Sequence, residues 1–294
     1  MPPSNKTTRT AIVTGSTGFI GRRLSARLQL DGWDTRAWET DVREIARHEE
    51  AVDVVFHLAA ISQHDRFVTE PHDAYDVNVT GTQAVLNYCQ AVGATCVLTS
   101  TSGIYRSGPG TSCVQEDAPT GPSLPYAISK WLAESLCRRQ AEARGVLSVA
   151  LRLFNVYGPG QHASFLVPHV LDCLLEERAL HLRMPEAIRD FVYVDDVVDG
   201  LVKASAYEHG GYAAFNIGSG EATRVIDLVH LAEEVWGKTA SIEVSEPHTG
   251  ELPSMAADVT RARQELGWTP RHDLRAGLLA MKHSLETASP LRLP

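Results

Sequence analysis

The chain lacks any apolar run approaching the roughly 18 to 20 residues that a bilayer span requires, and its opening stretch, MPPSNKTTRT, has no apolar signal core. A cytoplasmic protein without a membrane partner is expected. Cysteine is also scarce. The five cysteines, Cys89, Cys96, Cys113, Cys137 and Cys173, are odd in number and show no CxxC spacing. Neither a disulfide framework nor a zinc site is indicated, no metal is expected, and the cysteines read as structural thiols. Long charge runs, internal repeats and low-complexity linkers are missing too. The 27 basic and 36 acidic residues sum to −9, which argues against a nucleic-acid partner while leaving room for a local basic pocket.

What is present is enough for one large or two moderate cores: 294 residues, 44% hydrophobic and 21% charged. After a short polar arm, residues 8–14 read as a buried strand running straight into GSTGFIG and then the helical pattern RRLSARLQLDG. Strand-like segments recur at 33–38, 52–58, 94–99 and 146–151 after intervening segments, several of them helical. The alternation predicts an α/β protein with a Rossmann-type, doubly wound parallel sheet. Beyond about residue 155 the alternation loosens. A helical stretch at 166–177, strand-like FVYV and AAFNI, and the amphipathic segment RVIDLVHLAEEVWG predict a smaller α/β C-terminal lobe, with a cleft between the two.

In TGSTGFIG the glycines stand at 15, 18 and 21. Gly15 permits a tight turn, Gly18 lets the backbone approach a pyrophosphate, and Gly21 lets the helix pack near the strand. Such a turn can also exist without a ligand, but its place between the first strand and an amphipathic helix favours a dinucleotide. Glu39, in RAWETD at the end of the second strand, can accept hydrogen bonds from the adenosine ribose. That favours NAD over NADP, which Arg22, Arg23, Arg36 and Arg43 keep open. Asp41 and Val42 follow at once and either reach the adenine edge or begin a helix.

The sequence PYAISKWLAES puts Tyr126 and Lys130 four residues apart, on one face at the start of a helix. Tyrosine, with a pKa of about 10, is a poor base at neutral pH, and bringing it near neutrality takes roughly 4 kcal/mol of preferential phenolate stabilisation. A nearby ammonium and an oxidised nicotinamide can supply that. Upstream, TSTSGIY ends an apolar strand in three hydroxyls, Ser100, Thr101 and Ser102.

On these motifs, and on HLAA at 57–60, NVTGT at 78–82, LRLFNVYGPGQ at 151–161, RDFVYVDDV at 189–197, FNIGSG at 215–220 and ARQELGWTP at 262–270, the chain resembles the extended short-chain dehydrogenase/reductase family, in particular its nucleotide-sugar epimerase/dehydratase branch. The resemblance implies a dinucleotide-binding domain over 1–154, joined by about 191–220, and a substrate-binding lobe over 155–190 and 221–294. It implies bound NAD, a nucleoside-diphosphate sugar as partner, and a homodimer. Tyr126 resembles the catalytic acid/base, Lys130 the residue that holds the nicotinamide ribose and lowers the Tyr126 pKa, and Thr101 the hydroxyl that bonds the reacting sugar oxygen. The cofactor positions are Gly15, Gly18, Phe19, Ile20, Gly21, Glu39, Asp41, Val42, Leu58, Ala59, Ala60 and Asn78, with Tyr126 and Lys130. Ser100, Asn155 and Arg189 match substrate positions, Arg189 suiting a diphosphate.

Departures from the family pattern narrow the chemistry. Dehydratases of the family carry an Asp-Glu pair just after the catalytic threonine, because elimination across C5 and C6 needs an extra acid and base. Here those positions are Ser102 and Gly103, so hydride transfer at a carbinol or ketone is expected. The segment HLRMPEAI lacks the usual glycine-rich turn, and PHTGELP carries His248 where a second phosphate-binding arginine is common. His64, after HLAA, either touches the substrate or lies on the surface. The leading expectation is an NAD-dependent epimerase acting at C4 through a transient 4-keto sugar. The alternatives are an NAD(P)H-dependent 4-keto-sugar reductase and a catalytically silent nucleotide-binding regulator.

Overall fold

The computed structural model describes residues 8–106, 112–245 and 254–288. The chain forms two compact units. One comprises the described residues up to Ile104, then Pro122–Arg152 and Val198–Phe215; the other comprises Tyr105–Gly121, Leu153–Val197 and the described residues from Asn216 onward. No described helix is long and apolar enough to cross a membrane.

The first unit is built on a six-stranded sheet in the order Tyr212–Ile217, Ser148–Leu153, Thr95–Thr101, Val54–His57, Thr10–Thr14, Asp34–Trp38. The registers run parallel from Thr95–Thr101 through Val54–His57 and Thr10–Thr14 to Asp34–Trp38. The central strands are buried on both faces. This explains why they read as continuous apolar runs rather than alternating ones. From Thr10–Thr14 the chain goes outward to Asp34–Trp38, then crosses back to Val54–His57 on the other side. The strand order therefore reverses at Thr10–Thr14, and in such sheets ligands bind outside the C-terminal ends of the strands at that reversal.

Helices Phe19–Leu30, Gly81–Val92 and Pro125–Arg144 cover this sheet. Ile12, Val55, Cys96 and Leu98 of the strands pack with Val85, Leu86 and Cys89 of the second helix and Ala133 and Cys137 of the third. All five cysteines are free thiols, and only Cys113 is exposed. The helix Pro125–Arg144 is also tied down electrostatically. Arg152 donates to Glu134 across 2.9 Å, both side chains almost fully buried, and the Tyr212 hydroxyl donates to the same carboxylate across 2.8 Å.

The second unit holds parallel pairs Asn155–Tyr157 with Phe191–Tyr193, Ala179–Leu182 with Ser241–Val244, and Ser112–Val114 with Met255–Ala257. Helices Leu166–Leu175, Val225–Trp236 and Leu274–Ala288 pack around them. The first unit omits Tyr105–Gly121 and regains the chain at Val198, where an unbroken run to 154 and a return at about 191 are expected from sequence. Pairing explains the difference. Ser112–Val114 is registered against Met255–Ala257, and Asn216 donates from Nδ2 to the Val114 carbonyl while its N–H meets Glu116.

Breaking a buried ion pair strands one charge in low dielectric, which costs about 3 to 5 kcal/mol. Arg152→Met should therefore lower the urea midpoint sharply with an unchanged m-value, while Arg152→Met with Glu134→Met in one chain should recover much of the loss. A single variant as stable as the wild type would show that the pair contributes nothing to the docking of this helix.

Candidate active site

The first strand ends at Thr14 and turns at Gly15 with φ +70°. A Cβ on Gly15 would lie 2.7 Å from the Ala59 nitrogen, and one on Gly21 would lie 2.1 Å from the Gly15 oxygen. Both glycines are thus required by backbone packing. A Cβ on Gly18 would meet only the Gly15 oxygen, at 3.2 Å. Gly18 caps the helix Phe19–Leu30 in an extended conformation with no side-chain cap and no acidic residue in the first turn. The helix start, including Phe19, Ile20 and Gly21, is therefore left suited to an anion.

At the end of the second strand Glu39 is exposed. Asp41 accepts from Arg43 N at 2.9 Å and caps the short 3₁₀ turn Val42–Arg47, so the Asp41 side chain begins a helical turn. Val42 is buried, its Cγ1 2.6 Å from where a Cβ on Gly81 would stand. Arg43 is shared among Asp41, Asp73 and Asp76, at 3.4 Å for Asp73 and 2.6 Å for Asp76. Bonding to Arg43 holds the Asp41 carboxyl below its ordinary range; for Asp76 the Thr80 hydroxyl is the larger cause and Arg43 the next. Arg36 is likewise engaged by Glu50. Two of the four arginines that leave NADP open from sequence are thus held by carboxylates.

Thr101 ends the strand Thr95–Thr101, and its Oγ1 accepts from Gly103 N at 3.1 Å. That bond leaves the hydroxyl proton free to be donated. Ser100 is buried, and its Oγ has no hydrogen-bond partner among the described residues. Such an orphan is costly unless a ligand atom meets it.

Helix Pro125–Arg144 starts with proline at its first position, where the missing N–H costs nothing. Tyr126 follows, its ring edge-on to Phe67 at 6.2 Å between centroids. Burial pushes the Tyr126 hydroxyl up to about 12. Desolvation is the cause of that shift. Lys130 is buried, and desolvation pulls its ammonium down to about 8, with Cys137 and Glu134 opposing.

Asn78 lies in a π-helical turn, Asp76–Thr80, a widened turn often found at functional sites. Its Oδ1 accepts from Ile61 N at 2.8 Å, and its Nδ2 donates to the Ile61 carbonyl and to Ser129 Oγ, both at 2.9 Å. Leu58 N and Ala59 N both donate to Thr14 Oγ1, at 3.2 and 3.1 Å, and Ala60 follows directly. The first unit therefore gathers the glycine turn, Leu58 to Ala60, Asn78, Ser100, Thr101, Tyr126 and Lys130.

In the second unit, Asn155 N and Nδ2 both donate to the Asp190 carbonyl, at 2.9 and 3.1 Å, and Arg189 donates to the Ile188 carbonyl at 2.8 Å. Asp190, within RDFVYV, is missed by sequence reasoning. Its buried carboxylate accepts from Ser219 N and Oγ, Gly220 N and Ala257 N. The signal was only its place beside Arg189. His64 begins the helix His64–Thr69, with its side chain outside the described residues, as is all of His248.

A parallel sheet whose order reverses beside a glycine turn defines a Rossmann-type dinucleotide-binding protein. The chain belongs to the NAD dependent epimerase/dehydratase family, whose profile matches residues 11–218. Among curated relatives, a UDP-glucose 4-epimerase of Azospirillum brasilense is 31% identical over 258 residues, covering 80% of this chain and 74% of the relative. Among solved structures, a UDP-glucose 4-epimerase of Thermotoga maritima with UDP-glucose superposes with TM-score 0.88 at 27% identity, covering 95% of this chain and 99% of that one. MoeE5 in complex with UDP-glucuronic acid and NAD superposes with TM-score 0.87 at 29% identity, with the same two coverages.

Lys130 sits at about 8 when folded against an ordinary 10.5. Between those values the unfolded chain binds more protons, so the ligand-free protein should gain stability as pH rises from about 8 toward 10. Lys130→Met should remove that rise, as urea unfolding across the window would show. An identical pH dependence in the two proteins would mean that Lys130 is not desolvated.

Proposed function

We propose that the protein is an NAD-dependent nucleotide-sugar 4-epimerase acting on a UDP-hexose. The observation that carries the reading is the pairing of Tyr126 and Lys130 on one helix with a Thr101 hydroxyl whose proton is free to be donated, beside two positions, Ser102 and Gly103, that hold no acid or base. The names of the relatives support UDP as the nucleotide.

The cofactor site fits NAD on two counts: a glycine turn drawn tight against the backbone at Leu58 and Ala59, and an uncapped helix start for the diphosphate. Gly15, Gly18 and Gly21 with the N–H groups of Phe19 and Ile20 would hold the diphosphate, and Glu39 the adenosine ribose. Asp41 and Val42 would border the adenine, Leu58, Ala59 and Ala60 would line the dinucleotide, and Lys130 would hold the nicotinamide ribose. Glu39, Asp41, Asp73 and Asp76 outnumber Arg43, so a 2′-phosphate would be repelled. When bound, NAD accepts a hydride from the sugar and returns it.

Tyr126 removes the proton of the C4 hydroxyl as C4 is oxidised, and gives it back when the 4-keto sugar, having turned over, is reduced from its other face. Thr101 donates to the same oxygen and holds it against Tyr126. The Lys130 ammonium would favour the phenolate that burial alone disfavours. Ser100, Asn155 and Arg189 would hold the sugar nucleotide, Arg189 at the diphosphate, with His64 and His248 as further substrate positions. The homodimer and cytoplasmic location expected from the sequence belong to the same reading.

The test is turnover of UDP-glucose and UDP-galactose by the purified protein with no cofactor added. An epimerase retains NAD through purification and interconverts the two; product formed from a 4-keto sugar only when NADH or NADPH is supplied would instead establish the reductase. Tyr126→Phe should lower kcat at least about a hundredfold while dinucleotide binding stays near wild type, and wild-type turnover by that variant would remove Tyr126 from the chemistry. In heavy water the epimerised sugar should carry no deuterium at C5, because no base stands at Ser102 or Gly103. Label at C5, or a 4-keto-6-deoxy product, would overturn this restriction.

A further inference from the structure

A line of buried polar side chains connects the glycine turn to the Tyr126 helix, and of these Asn78 alone has been given a role above, as a cofactor position. Thr14, His57, Asn78, Thr82 and Ser129 are each at most 2% exposed. Thr14 Oγ1 stands 2.9 Å from His57 Nδ1, and His57 Nε2 stands 3.0 Å from Thr82 Oγ1. Thr82 Oγ1 in turn donates to the Asn78 carbonyl at 2.6 Å, Asn78 Nδ2 donates to Ser129 Oγ at 2.9 Å, and Ser129 Oγ donates to the Tyr126 carbonyl at 2.7 Å.

The protons in this line can be placed by counting donors. Thr14 Oγ1 already accepts the N–H groups of Leu58 and Ala59. The Leu58 N–H is shared with the Thr14 carbonyl, and with the Ala59 N–H it crowds both lone pairs of Oγ1, so donation from Thr14 to a bare Nδ1 is the order that best fits the turn. At the other end, the proton of Thr82 goes to the Asn78 carbonyl. Toward His57 it is an acceptor, and Nε2 must carry the ring proton. The Asn78 amide cannot be flipped, because Ile61 N–H meets its Oδ1 and the Ile61 carbonyl meets its Nδ2. This proton order satisfies every group in the line.

We propose that His57 is a positioning residue, whose imidazole carries its single proton on Nε2 and links the Thr14–Ala59 turn to the Tyr126 backbone through Thr82, Asn78 and Ser129. The strand Val54–His57 is rigid and buried, so the ring is held on a fixed support. Protonation of Nδ1 would set two donors against each other at Thr14. It would also place a second positive charge near Lys130, the charged group whose field reaches the ring. Burial, the larger effect, pushes His57 down to about 3, so neutrality costs nothing at physiological pH. The chain joins the two features that hydride transfer must hold in register, the loop at Leu58 and Ala59 and the first turn of the Tyr126 helix. Its effect on turnover rests on the reading of Tyr126 given above.

Nitrogen-15 NMR of the full-length protein reads the ring directly. Expected is one bare nitrogen, Nδ1, and one protonated nitrogen, Nε2, with no titration between about pH 5 and 8; a proton on Nδ1, or titration in that range, overturns the proposal whatever the substrate is. Thr82→Val removes the acceptor for Nε2 without changing shape, whereas Thr82→Ser keeps it. The valine variant should lose about ten- to a hundredfold in kcat with KM and the dinucleotide Kd within about twofold, and the serine variant should stay near wild type. A valine variant with wild-type kcat and a displaced His57 spectrum would show that the link has no positioning role. If the wild-type protein turns over no nucleotide sugar, the epimerase reading fails separately. The link is then read from the Tyr126 ring carbon resonance, which Thr82→Val should shift and Thr82→Ser should not; an unmoved resonance with the His57 spectrum displaced overturns the proposal.

Discussion

At Gly15 and Gly21 three stretches of backbone come together with no room for a side chain. The end of the first strand, the residues after the third strand and the first turn of the first helix are separated by less than a Cβ would need. This closeness sets the geometry of everything around it. It sets the uncapped start of Phe19–Leu30 directly after the first strand, where the strand order reverses, and brings Leu58 and Ala59 within reach of Thr14 Oγ1. The helix dipole and free N–H groups then favour an anion there without any cationic side chain.

Around this turn the first unit buries more polarity than an apolar sheet needs. Lys130, Glu134 and Arg152 lie within the same interior as His57, Asn78 and Ser129. Each carries a desolvation cost that only specific partners offset. Glu134 is bonded by Arg152 and Tyr212, and the neutral groups satisfy one another in line. For Lys130 desolvation outweighs the opposing Cys137 and Glu134, and its ammonium is held at about 8. The second unit uses the same device, with Asp190 drawing Ser219, Gly220 and Ala257 onto one buried carboxylate.

Much of this was legible in the sequence because it is local. Glycines at 15, 18 and 21, the four-residue step from Tyr126 to Lys130, and the absence of a carboxylate at 102 and 103 are properties of consecutive residues, and backbone geometry converts such spacings directly into turns and helix faces. The strands around Val54–His57 and Thr95–Thr101 were legible for the same reason, since burial on both faces leaves an unbroken apolar run. The interruption of the first unit at Tyr105–Gly121 was not, because the short strand Ser112–Val114 takes its partner from residues more than a hundred positions away.

By itself the sequence determined the order of elements, the family motifs and which side chains could do chemistry. Only the tertiary structure decided what state those side chains are in. Arg43 looks free beside Glu39 until Asp73 and Asp76 arrive from a distant helical segment to hold it. Thr101 is any threonine until Gly103 N takes one lone pair of its oxygen. His57 is a histidine of undetermined tautomer until Thr14 and Thr82 close on its two nitrogens. Charge, proton position and hydrogen-bond polarity depend on which groups share a low-dielectric interior, and residues become neighbours there only when the chain folds.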